Sequence, residues 1–239
     1  MSYLWLAFYE SKKIRSGNFL AGFCLVFYFT FIMRLLLDFR VLEKEAFVIA
    51  ECLDFLPWMM CFFVPLWVGN FRENGQELTY EVNFGLSRVK CLLTYCFVNL
   101  LYLSLPLLLT MFSMLMFSFL GDLDKQTLMC AYIGLTLVLA NSLVFTILIY
   151  GVFKNKFASL LISFLLLLIL NVGGRNGLDI LSDLGLYTVA HLLAILTPSL
   201  HLESFFLGLL RGSDLCYFLI STGGIFLIQI LVLPRRQLA

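Results

Sequence analysis

Long apolar runs separated by short polar segments form the main pattern along this chain. A bilayer core of about 30 Å requires about 20 helical residues. Six runs are candidates for such crossings: Phe19–Leu37, Phe55–Val68, Cys91–Phe119, Thr127–Phe153, Phe157–Val172 and Leu215–Leu233. Runs of this length do not alternate as barrel strands do, so each is expected to be a helix. The pattern predicts an all-α polytopic membrane protein with six transmembrane helices in a single domain, residues 1–239.

Two of these runs depart from a simple crossing. Cys91–Phe119 is too long for a perpendicular span, so we expect it to tilt or to project from the membrane. Pro106 lies in its middle, where proline can kink a helix. Phe157–Val172 is short and is followed by the polar break Asn171–Gly177, which favours a helix ending within or at the outer leaflet.

The composition supports the membrane class. The chain has 239 residues, of which 62% are hydrophobic and 13% charged, and its mean hydropathy is +0.98. An average soluble domain has about 25% charged residues, enough to cover a globular surface. The formal net charge of +1 does not suggest nucleic acid as a partner. The seven cysteines form no CxxC pair and are interpreted as small apolar packing residues.

Lysine and arginine predict the orientation, because they are enriched in cytoplasmic segments. With the amino terminus inside, the inner segments hold Lys12, Lys13, Arg15, Arg72, Arg88, Lys90, Lys154, Lys156, Arg235 and Arg236. The outer segments then hold Arg34, Arg40, Lys44, Lys125, Arg175 and Arg211. This bias predicts a multi-pass protein of the cell (inner, cytoplasmic) membrane with both termini in the cytoplasm.

Three polar or mixed segments lie between or before the spans. Met1–Ser16 is expected to be an interfacial helix, with Trp5 and Phe8 at headgroup depth and its cations on anionic lipid. A frayed terminus is the alternative. Asn70–Lys90 carries six charged residues and is placed in the cytoplasm. A solvated loop is the simplest interpretation of those charges.

Residues 171–214 are placed outside and predict two short helices that pack on, or dip into, the outer mouth of the bundle. Asp183 is predicted to cap the first helix, which Pro198 ends. Ser199 is predicted to cap the second helix, with Gly212 at its carboxyl end. Each helix is too short to span and too apolar to be freely solvated.

The residues that most reactions require are sparse. The two histidines, His191 and His201, lie in the outer segment, and no HExxH or GxSxG motif occurs. Gly17 and Gly22 have the spacing of a phosphate loop, but its Lys and Ser/Thr are replaced by Phe23 and Cys24. The chain is therefore predicted not to be an enzyme and to hold no cofactor or metal of its own.

Deep polar and sulfur-bearing side chains remain open to two interpretations. Met111, Met114 and Met116 are a possible soft-metal ladder, although Met is more often plastic packing. The amides Asn99, Asn141 and Gln229 are interpreted as contacts between helices rather than as substrate ligands.

Four blocks of sequence occur in an order that is similar to a known family. The proline-containing run Leu56–Trp67 leads into a cytoplasmic stretch aligned with an acidic-then-GT-x-E signature. That stretch consists of Arg72, Glu73, Asn74, Gly75, Gln76, Glu77 and Leu78. The other blocks are Gly121–Leu170, Leu196–Gly212 and a last span that ends in Arg235 and Arg236. Together they resemble the membrane subunit of type-2 ABC transporters, particularly the small six-span permeases of the gliding-motility group. Gln76 departs from the usual Thr, and the part after Leu78 is shorter and more polar than in that family.

The resemblance implies a permease, an exporter, that works as a homodimer or with a paralogous permease chain. It implies two copies of a separate ABC ATPase subunit, which bind the ATP and Mg²⁺, with membrane lipid as the surroundings. The stretch Arg72–Leu78 becomes the ATPase-coupling segment. The helices after the fifth span become an outer gate, with Pro198, His201, Phe205 and Phe206 as its candidate residues. A non-transporting membrane anchor or sensor that recruits a cytoplasmic partner is the alternative.

Overall fold

The computed structural model describes residue 22 and residues 24–33, 53–72, 88–120, 124–153, 155–172 and 183–236. Every regular element in these ranges is helical. The helices that bear on function are α1 (Cys24–Met33), α2 (Leu56–Arg72), α3 (Arg88–Leu120), α4 (Lys125–Val152), α5 (Lys156–Val172), α6 (Tyr187–Leu196), α7 (Pro198–Phe206) and α8 (Gly212–Arg236).

Three of these helices are long and apolar enough to cross a membrane, through Leu92–Met116, Lys125–Val152 and Gly212–Val232. The pair α6 and α7 passes the same test when taken together, with a bend of 59° that is typical of a broken span or a re-entrant loop. Helices α1, α2 and α5 are apolar but shorter. The all-helical class is confirmed for the described residues, and three or four candidate crossings are consistent with a membrane protein. Six crossings remain a prediction.

Helices α4 and α5 match their predicted spans to within two residues, whereas α2, α3 and α8 extend further. Helix α2 continues to Arg72, so the first residues of Asn70–Lys90 are helical, and α3 begins at Arg88. Helix α3 has 33 residues and runs without interruption through Pro106. The predicted interfacial helix Met1–Ser16 and the residues Glu73, Asn74, Gly75, Gln76, Glu77 and Leu78 lie outside the described residues.

Helix α4 lies at the centre of the bundle. Of its most apolar stretch 67% is buried, compared with 28% for α3 and 11% for α8. Helices α2, α3, α5, α7 and α8 all pack against it. A helix that is apolar around its whole circumference is expected in such a position, because every face contacts another helix. Asp124 caps it by accepting hydrogen bonds from the backbone N–H groups of Gln126 and Thr127.

Contacts near the two ends of α4 set the relative placement of the flanking segments. Near its carboxyl end, the Tyr150 hydroxyl donates to the Pro65 carbonyl of α2 over 3.0 Å. Near its amino end, Gly134 packs directly against Phe205 of α7. Gly134 and Tyr150 are about 24 Å apart along the helix, at about 1.5 Å per residue. The part of α2 that leads into Asn70–Lys90 and the short helix α7 therefore lie toward opposite ends of α4.

The boundary predicted for α6 is wrong at its start and confirmed at its end. The helix begins after Leu186, and no side chain caps it, so Asp183 is not its cap. The reason is Gly185, whose φ of 75° turns the chain between Asp183 and the helix. The carboxyl end falls at Leu196, directly before Thr197 and the proline predicted to end it.

Both predicted boundaries of α7 are wrong. Ser199 lies inside the helix, because Pro198 already occupies its first position, where a missing N–H costs nothing. The helix ends at Phe206, and Gly208, with φ 73°, completes its carboxyl cap. The Gly208 N–H donates to the Phe205 carbonyl and the Leu209 N–H to the Ser204 carbonyl, which is the Schellman pattern. Gly212 instead begins α8.

Candidate functional site

A buried carboxylate joins the two helices that follow the bend. Asp214 lies in the first turn of α8, and its Oδ1 is 2.8 Å from Nδ1 of His201 on α7. Its Oδ2 accepts a hydrogen bond of 2.6 Å from the Ser204 hydroxyl, also on α7. The free N–H groups of a helix amino terminus favour a negative charge at this position. One carboxylate thus holds α7 against the start of α8.

Tyr217 extends this contact to α6. Its ring stacks on the His201 ring, with centroids 3.9 Å apart and planes 17° apart. Its hydroxyl donates to the carbonyl of Leu196, the last residue of α6, over 2.7 Å. We call His201, Ser204, Asp214 and Tyr217 the carboxylate latch. It ties three helices together where the chain bends.

Helical spacing places the latch residues on facing surfaces. His201 and Ser204 are three residues apart on α7, and Asp214 and Tyr217 are three apart on α8, so each pair shares one face of its helix. A Ser–His–Asp hydrolase requires the serine hydroxyl on the imidazole. Here the Ser204 hydroxyl is bonded to the carboxylate, an arrangement that holds helices and does not activate a nucleophile.

The four predicted gate residues occupy one short helix but have different surroundings. His201 belongs to the latch, whereas Pro198 is buried at the start of α7. Phe205 is completely buried, lies against Gly134 of α4 and meets the Phe218 ring edge-on with centroids 6.2 Å apart. Phe206 is buried in the same core cluster. These contacts anchor α7 to both α4 and α8.

Sequence reasoning missed Ser204, Asp214 and Tyr217. A signal was present, because a helix amino terminus favours an acid such as Asp214 and the i, i+3 pairs were readable. The pairing itself was not readable, since it depends on the turn at Gly208 that reverses the chain between α7 and α8.

A second polar contact lies beside the predicted coupling segment. The Trp67 indole N–H donates to Asn99 Oδ1 over 2.9 Å, and Asn99 Nδ2 donates to the Tyr95 carbonyl over 2.8 Å. Trp67 and Asn99 are buried, at 1% and 0% exposure. We call the two hydrogen bonds, Trp67–Asn99 and Tyr150–Pro65, the Trp67 clamp. It joins α2, α3 and α4 in the last part of α2 before Asn70–Lys90.

The coupling residues themselves are only partly described. Arg72 is the last residue of α2, and Arg88 is the first residue of α3. The residues between them, including Glu73 and Glu77, lie outside the described ranges. The structure therefore brings both flanks of the segment to helices that the Trp67 clamp holds together.

Comparison of this chain with protein-family models, with curated proteins and with solved structures finds no match. No family is assigned on that basis. The resemblance to type-2 ABC permeases rests on the sequence blocks alone.

The possible metal ligands do not converge among the residues that the structure describes. No group of three or more His, Cys, Asp or Glu side chains occurs within those ranges. Of the methionine ladder, Met114 is fully buried in the core cluster, Met111 packs against that cluster, and Met116 is largely exposed. The three side chains therefore do not share one environment.

The predicted helix contacts through deep amides are confirmed for two of three residues. Asn99 accepts from Trp67 on a neighbouring helix, and Gln229 of α8 donates through Nε2 to the Val144 carbonyl of α4. Asn141 differs, because its buried Oδ1 has no hydrogen-bond partner. The oxygen of Gln229 also lacks a partner.

Proposed function

We propose that this chain is the membrane-embedded permease subunit of an ATP-driven ABC exporter, coupled to a separate ATPase subunit. The Trp67 clamp is the observation that carries the proposal. A segment that receives force from an ATPase needs rigid connections to the bundle. Here α2 is bonded to α3 through Trp67 and Asn99 and to the central helix through Pro65 and Tyr150. Movement of Asn70–Lys90 would thus reach α2, α3 and α4 together.

In this proposal α1 to α5 and α8 make six crossings, and both termini lie in the cytoplasm. Helices α2 and α5 each have 17 residues, or about 26 Å at about 1.5 Å per residue. That length is close to a bilayer core of about 30 Å, and a small mismatch is accommodated by local thinning. Helix α3, with 33 residues, exceeds the core and extends toward the coupling segment.

The bent pair α6 and α7 serves as the outer gate in this scheme. The carboxylate latch fixes the pair to the start of α8 through His201 and Asp214. Phe205 fixes it to α4 through Gly134. A gate built in this way moves only when the contacts on α4 or α8 rearrange, which links it to the same central helix that the Trp67 clamp contacts.

The partners follow from the proposed role. Two ATPase subunits would supply ATP hydrolysis, and a second permease chain would complete the pathway. Glu73, Glu77 and Arg72 would form charge-assisted hydrogen bonds with a groove of the ATPase. The exposed apolar surface of α8 is compatible with lipid and with a second permease chain.

Charge reversal tests the coupling assignment. The chain carrying Glu73→Lys and Glu77→Lys is co-expressed with a candidate ABC ATPase subunit, and the complex is purified in detergent. The control reverses two exposed acids elsewhere, Asp54→Lys before α2 and Asp183→Lys before α6. We expect the first variant to lose the ATPase and the control to retain it. If both variants still bind the ATPase and still stimulate its ATP hydrolysis, the coupling assignment is wrong.

A further inference from the structure

Two buried amide oxygens without partners occur on α4 and α8, two helices that pack against each other. Asn141 of α4 is 7% exposed and Gln229 of α8 is 0% exposed. Asn141 Oδ1 and Gln229 Oε1 both lack a hydrogen-bond partner. Leaving a buried polar group unmatched costs about 1–3 kcal/mol, so two such groups on one contact require an explanation.

The two amides are at the same depth and on the same contact. Gln229 donates to the carbonyl of Val144, which is three residues from Asn141 and therefore shares a face of α4 with it. Asn141 lies about 24 Å from the start of α4, and Gln229 about 26 Å from the start of α8. The two helices start at the same end of the bundle, because Gly208, shortly before α8, packs on Thr127 of α4.

The chemistry of the two groups restricts what they bind. The Val144 carbonyl fixes the orientation of the Gln229 amide, since a flipped amide would place two oxygens against each other. The unmatched groups are therefore acceptors, and their ligand must be a hydrogen-bond donor. No Asp, Glu, Lys or Arg occurs in Gln126–Val152 or in Leu215–Leu233. A cation would lie there without a compensating charge, so a neutral donor is favoured.

The surroundings restrict the ligand further. Only 11% of the apolar stretch of α8 is buried, and Val232, one turn beyond Gln229 on the same face of the helix, is 36% exposed. A molecule with an apolar chain can therefore approach from the lipid side of α8 without crossing the core. We propose that Asn141 and Gln229 form a binding site for the hydroxyl group of an amphipathic, alcohol-type molecule between α4 and α8.

This inference deepens the proposed function. Only the interpretation of the bound molecule as transported cargo rests on the proposal that the chain is a permease subunit. Binding needs neither the ATPase nor the coupling segment. An experiment on the purified chain alone therefore fails or succeeds independently of the charge-reversal test.

The test compares 1-decanol with decane, which has the same chain and no hydroxyl group. The thermal midpoint (Tm) of the purified 239-residue chain is measured in nanodiscs with each additive at equal membrane concentration. A bound ligand stabilises the folded state, so decanol at about ten times its Kd is expected to raise the Tm by about 3–5 °C more than decane. Equal Tm values with the two additives would overturn the proposal, whatever the variants do.

Matched variants assign the effect to the two amides. Asn141→Leu with Gln229→Met keeps side-chain volume and removes both oxygens, and we expect the decanol-specific shift to disappear. Asn99→Leu removes a buried amide whose oxygen is already bonded to Trp67, and we expect the shift to persist there despite a lower starting Tm. If the double variant keeps the full decanol-specific shift, water alone satisfies the two oxygens and the proposal is wrong.

Discussion

The indole N–H of Trp67 donates to Asn99 Oδ1 across 2.9 Å in the buried space between α2 and α3. The two residues are 32 positions apart, and the intervening chain contains the whole of Asn70–Lys90. A hydrogen bond at this point joins the two helices on either side of the proposed coupling segment. The helices that flank the segment are therefore held at a fixed position relative to each other.

A double-mutant cycle measures this contact. Trp67→Phe removes the donor, and Asn99→Leu removes the acceptor. Each single variant leaves a buried polar group or a cavity and is expected to lose about 1–3 kcal/mol of unfolding free energy. The double variant should lose less than the sum, with a coupling of about 0.5–1.5 kcal/mol in denaturant titrations. Additive losses would show that the hydrogen bond does not connect α2 and α3.

The carboxylate latch predicts an asymmetry between its two partners. His201→Phe retains an aromatic ring against Tyr217 but removes the nitrogen that faces Asp214, leaving that carboxylate with Ser204. Ser204→Ala removes the other partner and leaves the histidine. Both hydrogen bonds go to a carboxylate, and we expect a larger loss of unfolding free energy from His201→Phe, about 2–3 kcal/mol, than from Ser204→Ala, about 1–2 kcal/mol, because His201→Phe replaces a larger side chain that also stacks on Tyr217.

Asp214→Asn checks that the charge matters in the latch. In that background, His201→Phe should have a smaller effect on the Tm than in the wild type. Equal effects of His201→Phe in both backgrounds would contradict a charge-assisted contact.

Two glycines test how closely α7 approaches α4. A Cβ at Gly134 would lie 2.7 Å from Leu202 and 2.8 Å from Phe205, whereas a Cβ at Gly223 of α8 meets nothing within 4 Å. Gly134→Ala is expected to lower the unfolding free energy by about 1–3 kcal/mol through overpacking. Gly223→Ala is expected to be neutral or to stabilise by up to about 1 kcal/mol, since alanine favours the helix. Similar Tm values for both variants would argue against the packing of α7 on α4.

Two further glycines separate backbone strain from steric contact. Gly185 and Gly208 have φ of 75° and 73°, but only at Gly208 would a Cβ meet a neighbour, the Thr127 Oγ1 at 2.6 Å. Gly185→Ala should therefore cost only the left-handed backbone strain, about 1–2 kcal/mol. Gly208→Ala should cost more, as measured by the midpoint of thermal unfolding. The reverse order would contradict the capping turn described between α7 and α8.

The cap of α4 predicts an acid-sensitive contribution to stability. The Thr127 hydroxyl and the Gln126 N–H both donate hydrogen bonds to the Asp124 carboxylate. These bonds lower the pKa of Asp124 below its usual value of 3.8. The carboxylate therefore stabilises the folded state above that value, and this contribution is lost as the pH falls through the lowered pKa. Asp124→Asn keeps a cap at every pH. The Tm of the wild type should fall relative to this variant between neutral pH and about pH 3, and parallel curves would contradict the prediction.

The helices were predictable because their apolar runs are long. The predicted Thr127–Phe153 and Phe157–Val172 differ from α4 and α5 by at most two residues at either end. Helix caps were less predictable. Asp183 and Ser199 had suitable side chains, but the turns at Gly185 and Pro198 decided where the helices start.

Only some of the residues that form the candidate sites could be identified from the sequence. His201 and Phe205 were selected from the outer segment, yet Asp214 was treated as a boundary residue and Trp67 as part of an apolar run. Their partners lie 13 and 32 residues away, and no periodic pattern reports a contact of that kind. Asn141 and Gln229 were recognised as deep amides, but the unmatched oxygens appear only when the packing of α4 and α8 is known.

The proposed coupling is tested most directly by the ATP hydrolysis rate of a candidate ABC ATPase purified together with this chain. We expect the wild-type chain to change the rate of ATP hydrolysis by the bound ATPase. We expect Trp67→Phe with Asn99→Leu to reduce that change while the ATPase still co-purifies, because Glu73 and Glu77 are intact. A chain that binds no ATPase, or a double variant with wild-type rates, would contradict the proposed coupling.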